Sequence, residues 1–255
     1  LYDTVTVEKT KCNKITLSCD EEGIPLNEKN IAYKAAEAFF KANNIKDTGI
    51  HIDIKKRIPH AAGLAGGSAD GAAVIVALNQ IYKTNLNNKE LCQIGVKIGA
   101  DVPFCICGGT LLAQGIGEVL NPVKPLRKCF ILLAKPQTGV NTGNAFKAFD
   151  ENGKVHTPDK LGMLYAMQSR DLEQICAKME NVFEQFIEVP ERVYIKEIMR
   201  SNGALGTCMS GSGPTVFGIF LNKEDAEKSA EELKNYAKDI HICTPVSKGC
   251  KIESE

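Results

Sequence analysis

The chain has 255 residues, 44% of them hydrophobic and 24% charged, which suits one large core or two smaller ones and excludes a disordered or fibrous protein. Its 31 lysines and arginines equal its 31 aspartates and glutamates, so no global field gathers nucleic acid or an anionic membrane. No apolar run reaches the roughly 18 residues of a helical membrane span, so neither nucleic acid nor membrane is expected as a partner, and any recognition of phosphate would have to be local.

Ten cysteines are scattered through apolar stretches, among them Cys92, Cys105, Cys129 and Cys176, a pattern that favours free thiols in a reducing, cytoplasmic setting over a disulfide framework. Cys105 and Cys107 lack zinc spacing, and His51, His60, His156 and His241 fall elsewhere, so no metal site of cysteine and histidine is expected.

Alternation over residues 2–8 and again over 14–19 predicts two half-buried strands. Asn30 caps an alanine-rich helix running to about Lys41, and 49–55 is a third strand with Ile50, Ile52 and Ile54 on one face. Residues 72–82 contain no charge, which predicts a helix buried on most sides. A further helix is expected over 89–98, ended by Gly99, with strands at 104–106, 110–114 and 129–134. Pro122 and Pro125, with polar neighbours, interrupt both periodicities and place a domain boundary there, dividing the chain into 1–124 and 125–255. Beyond it, helices are expected around 144–149, 158–167, 171–178 and 191–200, then strand, helix and strand through Ile242. The fold class is α+β in two domains.

Between the third strand and the uncharged helix lie Pro59, His60, Ala61, Ala62, Gly63, Leu64, Ala65, Gly66, Gly67, Ser68 and Ala69. Small residues let the backbone approach a ligand closely, Ser68 is placed to cap the helix, and unpaired amides at a helix start suit a polyphosphate. No lysine follows the glycines, so this is not the P-loop, and the G-x-G-x-x-G spacing of dinucleotide folds is missing. A tight strand-to-helix turn without ligand is the alternative. Asp101, after Gly99 and before Pro103, reads either as a turn or cap aspartate or as a carboxylate held in a cleft, Pro103 biasing Val102 away from helical geometry.

Pro59 followed by Gly63, Leu64, Gly66, Gly67, Ser68, Ala69 and Asp70 resembles the ATP-binding motif of the galactokinase, homoserine kinase, mevalonate kinase and phosphomevalonate kinase (GHMP) superfamily. Asn30, Ile31, Lys34, Ala35, Leu78 and Asn79 extend the resemblance, as do Gly99 to Phe104, Gly108 to Thr110 and Gly115 to Glu118. Together these are similar to one branch of that superfamily, over nearly the whole chain. The branch phosphorylates a cytidine-diphosphate sugar alcohol in the non-mevalonate isoprenoid route. The resemblance implies a ribosomal-S5-like N-terminal domain, a ferredoxin-like C-terminal domain, ATP on the first and the organic substrate between the two. It implies ATP and Mg2+ as cofactors, residues 59–69 as the ATP site, Asp101 as the base that takes the hydroxyl proton, and a monomer or homodimer. At the helix start, Ser68 or Asp70 is placed to contact the metal directly or through water, with solvated cap residues as the alternative.

A glycine loop over 203–214, running into 216–220, resembles the third superfamily motif, though a ligand-free hairpin would look the same. Ser210, Gly211, Ser212 and Gly213 are its candidate substrate contacts, and Phe146 is a candidate surface for the cytosine, with a core phenylalanine as the alternative. The superfamily has glycine where this chain has Ala65 and alanine where it has Gly71. It also carries a lysine upstream of the first strand, for which Lys9 and Lys11 lie too late; with Leu1 in place of methionine, a preceding segment is expected. The alternatives are another superfamily kinase, acting on homoserine or mevalonate, and a nucleotide-binding module without transfer activity.

Overall fold

Period-2 alternation at Ile50, Ile52 and Ile54 predicts one apolar strand face, and in the computed structural model, which describes residues 1–152 and 155–253, all three are fully buried. They belong to the first of two compact units, built among the described residues from Leu1–Ile58, Ala65–Pro122 and 246–253; Pro59–Leu64 and Val123–Pro245 form the second.

The first unit comprises β1 (Thr4–Lys9), β2 (Ile15–Cys19), α1 (Ile31–Ala42), β3 (Ile50–Lys55), α2 (Gly66–Ile81), α3 (Asn88–Gly95), α4 (Val102–Cys107), β4 (Leu111–Gln114) and β5 (Val119–Pro122). Its three-stranded sheet has the order β1-β3-β2, with β1 antiparallel and β2 parallel to the central β3. Asn30 caps α1 as its sequence predicts, its Oδ1 accepting the Ala32 amide at 2.8 Å. The uncharged run of α2 is buried through Val74, Ile75 and Leu78, packed with Phe39 of α1. Gly71 permits that approach, because a Cβ there would stand 2.8 Å from Ile31 Cγ2.

Three expectations need correction. Residues 104–106 are helical, not a strand: Pro103 lies in the first turn of α4, where its missing N–H needs no partner, and Val102 is helical despite preceding it. Helix α3 stops at Gly95, short of Gly99. The break at 121–122 also contains β5, paired with β4 in a two-stranded hairpin whose edge tolerates Pro122.

The second unit comprises β6 (Phe130–Lys135), α5 (Thr142–Glu151), α6 (Lys160–Ser169), α7 (Leu172–Ala177), α8 (Glu191–Ser201), β7 (Gly206–Met209), β8 (Val216–Phe220), α9 (Lys223–Glu232) and β9 (Asp239–Cys243). The sheet order is β7-β8-β6-β9, antiparallel throughout. Read without α5 to α7, the succession β6-α8-β7-β8-α9-β9 is the ferredoxin-like βαββαβ arrangement. Both sheet faces are apolar: Leu132, Val216 and Phe220 meet Ile195 and Met199 of α8, whereas Cys129 and Ile219 meet Ala166, Ile175 and Cys176 of α6 and α7. Among the described residues, no helix is long and apolar enough to cross a membrane.

Candidate active site

Helix α2 begins abruptly. Ala65, just before it, has φ 54° and ψ 27°, the left-handed region, and offers no side-chain cap. The first backbone bond of the helix is donated by the Ala69 amide to the Ala65 carbonyl at 2.9 Å, which leaves the amides of Gly66, Gly67 and Ser68 outside the helical ladder. Ser68 is therefore not the cap its position suggested: the left-handed residue starts the helix earlier and places Ser68 buried in its first turn. Free amides at the positive end of a 16-residue helix suit an anion.

Beneath this turn lies a buried charge cluster that sequence reasoning did not find. Lys56 Nζ donates to Asp3 Oδ2 and, at 2.8 Å, to Asp70 Oδ2, and the three side chains are only 6%, 3% and 7% exposed. Asp3 Oδ1 accepts the amides of Arg57 and Ile58 at 2.6 and 2.8 Å. Burial pushes the Asp70 carboxyl up to about 7 against the pull of Lys56, with the Asp3 charge adding to the rise. Burial also works against the Lys56 charge, but its hydrogen bonds to Asp3 and Asp70 outweigh that and raise its pKa. Asp70, one of the two candidate metal contacts, thus has one oxygen committed to Lys56.

Asp101 occupies the cap position of α4 with φ −85° and ψ −13°, yet caps no amide, and its side chain is exposed instead of enclosed. The turn that carries it meets the start of α2: a Cβ on Gly99 would lie 3.8 Å from Ser68 Oγ. The β4–β5 turn reaches the same place, since a Cβ on Gly117 would lie 2.8 Å from the Ala100 carbonyl oxygen. Ser68, Gly99 to Asp101 and the 115–118 turn are therefore brought together within the first unit.

The second unit gathers the other candidates. Ser210 Oγ donates to the Gly63 carbonyl at 2.8 Å, and Gly63 has φ 69° in a place where a Cβ would run into the carbonyl oxygens of Ser210 and Gly213. Ala62 is buried, whereas His60 and Ala61 are exposed. Ser212 Oγ pairs with Thr142 Oγ at 2.9 Å, at the start of the helix that carries Phe146. Two residues overlooked in the sequence hold this loop. Asn181 Nδ2 donates to the carbonyls of Met209 and Gly211, both at 2.8 Å, and Glu184 accepts the Met209 amide at 2.6 Å while pairing with Lys196. Phe146 is not a core residue: it is 54% exposed, its ring edge-on to Phe183 with centroids 5.1 Å apart. A cavity of about 690 Å³, mostly apolar, lies beside Phe149, Phe183, Met179 and Met209, with Ser210 and Gly211 on its wall. Among the described residues, no group of three or more histidine, cysteine, aspartate or glutamate side chains is placed to hold a metal.

Residues 30–109 match the GHMP kinases N terminal domain, and residues 163–239 match the GHMP kinases C terminal domain. The chain is 42% identical to a 4-diphosphocytidyl-2-C-methyl-D-erythritol kinase of Clostridium perfringens, across 97% of this chain and 87% of that one. It is 43% identical to the kinase of the same name from Caldicellulosiruptor bescii, across 96% and 86%. A solved 4-(cytidine 5'-diphospho)-2C-methyl-D-erythritol kinase is similar with a TM-score of 0.71 at 28% identity, covering 95% of this chain and 85% of that one. A homoserine kinase of Cytophaga hutchinsonii shares the fold with a TM-score of 0.81 at 21% identity, covering 97% and 87%.

The left-handed Ala65 carries a Cβ penalty that glycine lacks, so Ala65→Gly should stabilise the protein by about 1 kcal/mol in urea unfolding; a loss would show that the Ala65 methyl packs usefully. Asp70 supplies a second expectation. With its pKa raised above the unfolded value, the native state holds the extra proton between roughly pH 4 and pH 7, so this group's contribution to stability falls as pH rises through that window. Asp70→Asn should flatten that slope relative to the parent protein; an unchanged difference curve between the two would show that Asp70 is not the titrating group.

Proposed function

The chain belongs to the GHMP kinase family and, within it, to the 4-diphosphocytidyl-2-C-methyl-D-erythritol kinases; on that premise we propose that it transfers the terminal phosphate of ATP to the 2-hydroxyl of 4-(cytidine 5'-diphospho)-2-C-methyl-D-erythritol, in non-mevalonate isoprenoid synthesis. The observation that carries the reading is identity above 40% with kinases of that name over nearly the whole chain.

The local geometry supports it. The amides of Gly66, Gly67 and Ser68, with no ladder partner, fit a polyphosphate, which supports the reading of residues 59–69 as the ATP motif. When bound, ATP supplies the electrophilic phosphorus and magnesium neutralises charge on the phosphates. Magnesium commonly keeps its waters and leans on phosphate oxygens, which suits a site without a dedicated ligand cluster; the Ser68 hydroxyl is the better contact, since Asp70 is bound to Lys56. Asp101, exposed and capping nothing, has lone pairs free to take the proton of the attacking hydroxyl. In the second unit, Phe146 and Phe183 present an aromatic face for the cytosine, and Ser212 and the glycines beside it shape the contact with the rest of the substrate. The ten free thiols fit a reducing compartment, and we place the enzyme in the cytoplasm.

Purified full-length protein with Mg-ATP, offered the cytidine-diphosphate methylerythritol, mevalonate and homoserine separately, should release ADP only with the first. Release only with another alcohol would replace the substrate, and ATP binding without release would favour a nucleotide-binding module. In the same assay Asp101→Asn should keep ATP affinity while transfer falls by roughly 10²–10⁴-fold, the usual scale of general-base catalysis. Near-normal turnover in that variant would remove Asp101 from the reaction.

A further inference from the structure

We propose that Asp3 and Lys56 are positioning residues for the phosphate loop, forming with Asp70 a buried clamp that holds both ends of the segment between β3 and α2. This role rests on the reading of residues 59–69 as the ATP site, which it deepens.

The clamp is read from where its bonds go. Asp3 stands immediately before β1 and accepts two consecutive amides, those of Arg57 and Ile58, at the point where the chain leaves β3. Lys56 joins that carboxylate to Asp70, the fifth residue of α2, at the point where the chain returns. The ammonium lies under the first helical residue: a Cβ on Gly66 would stand 3.3 Å from Lys56 Nζ and 3.0 Å from Ile58 Cγ2. Departure and return of the loop are thus tied through three side chains, and the glycine at the head of α2 is what lets them close up. Asp20 adds a fixed point by accepting the Lys56 amide at 2.8 Å.

As a stabilising device this cluster is inefficient. Desolvating three charges cancels much of their attraction, and Asp70 Oδ1 is buried without any hydrogen-bond partner. Its gain is directional. A loop whose amides must meet a polyphosphate without reorganising needs its two ends fixed, and a carboxylate that accepts adjacent amides fixes backbone orientation more tightly than apolar packing does. With two carboxylates on it, Lys56 has its charge already compensated inside the protein, so the cluster acts on phosphate through the backbone it orders.

Two readouts test the clamp: amide hydrogen exchange of the free protein, and initial rates against ATP. In Asp3→Ala, amides over 57–70 should exchange at least about tenfold faster, while those of α8, such as Ile195 and Met199, stay unchanged. The KM for ATP should rise by about 10–100-fold, the scale of losing charge-assisted hydrogen bonds, with kcat changed by less than about threefold. Asp3→Asn, whose side-chain oxygen still accepts the Arg57 and Ile58 amides while its NH2 faces Lys56 as donor against donor, should restore protection at residues 57 and 58 but not at 66–70. Should Asp3→Ala not fold, Lys56→Gln serves in its place: it should loosen residues 66–70 while leaving the Arg57 and Ile58 amides protected. Unchanged exchange over 57–70, or a uniform acceleration in both units with KM and kcat affected alike, would reduce the cluster to a general stability element and overturn the proposal. If the parent protein turned over none of the acceptors, the functional reading would fail on its own, and the exchange data alone would decide the clamp.

Discussion

A helix can offer its first amides to a ligand only if nothing in the protein already satisfies them. That constraint shapes the first unit. A serine or aspartate at the cap of α2 would take up one of those donors; Ala65 cannot, and its left-handed backbone turns the chain sharply enough for the helix to start without a cap. Gly66 and Gly67 follow, so no side chain shields the amides. The helix itself is immobilised further along, through Val74, Ile75 and Leu78 in the apolar core, and the approach of α1 at Gly71. Strain at one residue and burial along the rest of the helix are the two sides of a single arrangement: the core holds in place a start that local preference alone would not choose.

Asp70 and Asp101 show how environment separates two residues of one type. Asp70 is buried against Lys56, and burial raises its pKa, with the nearby Asp3 adding to the rise. Such a group belongs to the framework. Asp101 sits at a helix start where an aspartate usually bonds to a nearby amide, and it does not. An uncommitted carboxylate on a turn packed against the first turn of α2 is available for chemistry, whereas a committed one is not. That Gly99 abuts Ser68 and Gly117 abuts the Ala100 carbonyl keeps the Asp101 turn from drifting without engaging the side chain itself.

Legibility in the sequence followed the range over which each feature acts. The alternation of Ile50, Ile52 and Ile54, the Asn30 cap and the uncharged run of α2 are local signals, and each led to the right element. The run Phe104, Cys105, Ile106 is too short for periodicity to tell helix from strand, and Pro103, read as a breaker, is instead a helix starter. The clamp had no local signal at all. Lys56 lies 53 residues from Asp3 and 14 from Asp70, and nothing in the residue types distinguishes them from surface charges until the sheet pairs β1 with β3. Asn181 and Glu184 were invisible for the same reason, their partners standing 25 to 30 residues on. Glycine loops, by contrast, are legible because close backbone approach and positive φ restrict residue choice position by position, as at Gly63 and Gly213.

The same contrast bears on specificity. Backbone amides read charge and shape, and every polyphosphate looks alike to them, so a site made of the start of α2 cannot by itself prefer one acceptor alcohol to another. Discrimination requires side chains that lose something when the wrong molecule binds, through an unpaired donor or an unfilled apolar face. On the proposed reading those side chains belong to the second unit: the exposed Phe146 edge-on to Phe183, the Ser212–Thr142 pair, and the Ser210 loop that Asn181 and Glu184 hold in place. The fold that this chain shares with a homoserine kinase at 21% identity therefore does not by itself distinguish acceptors, and on the proposed reading that choice falls to these side chains.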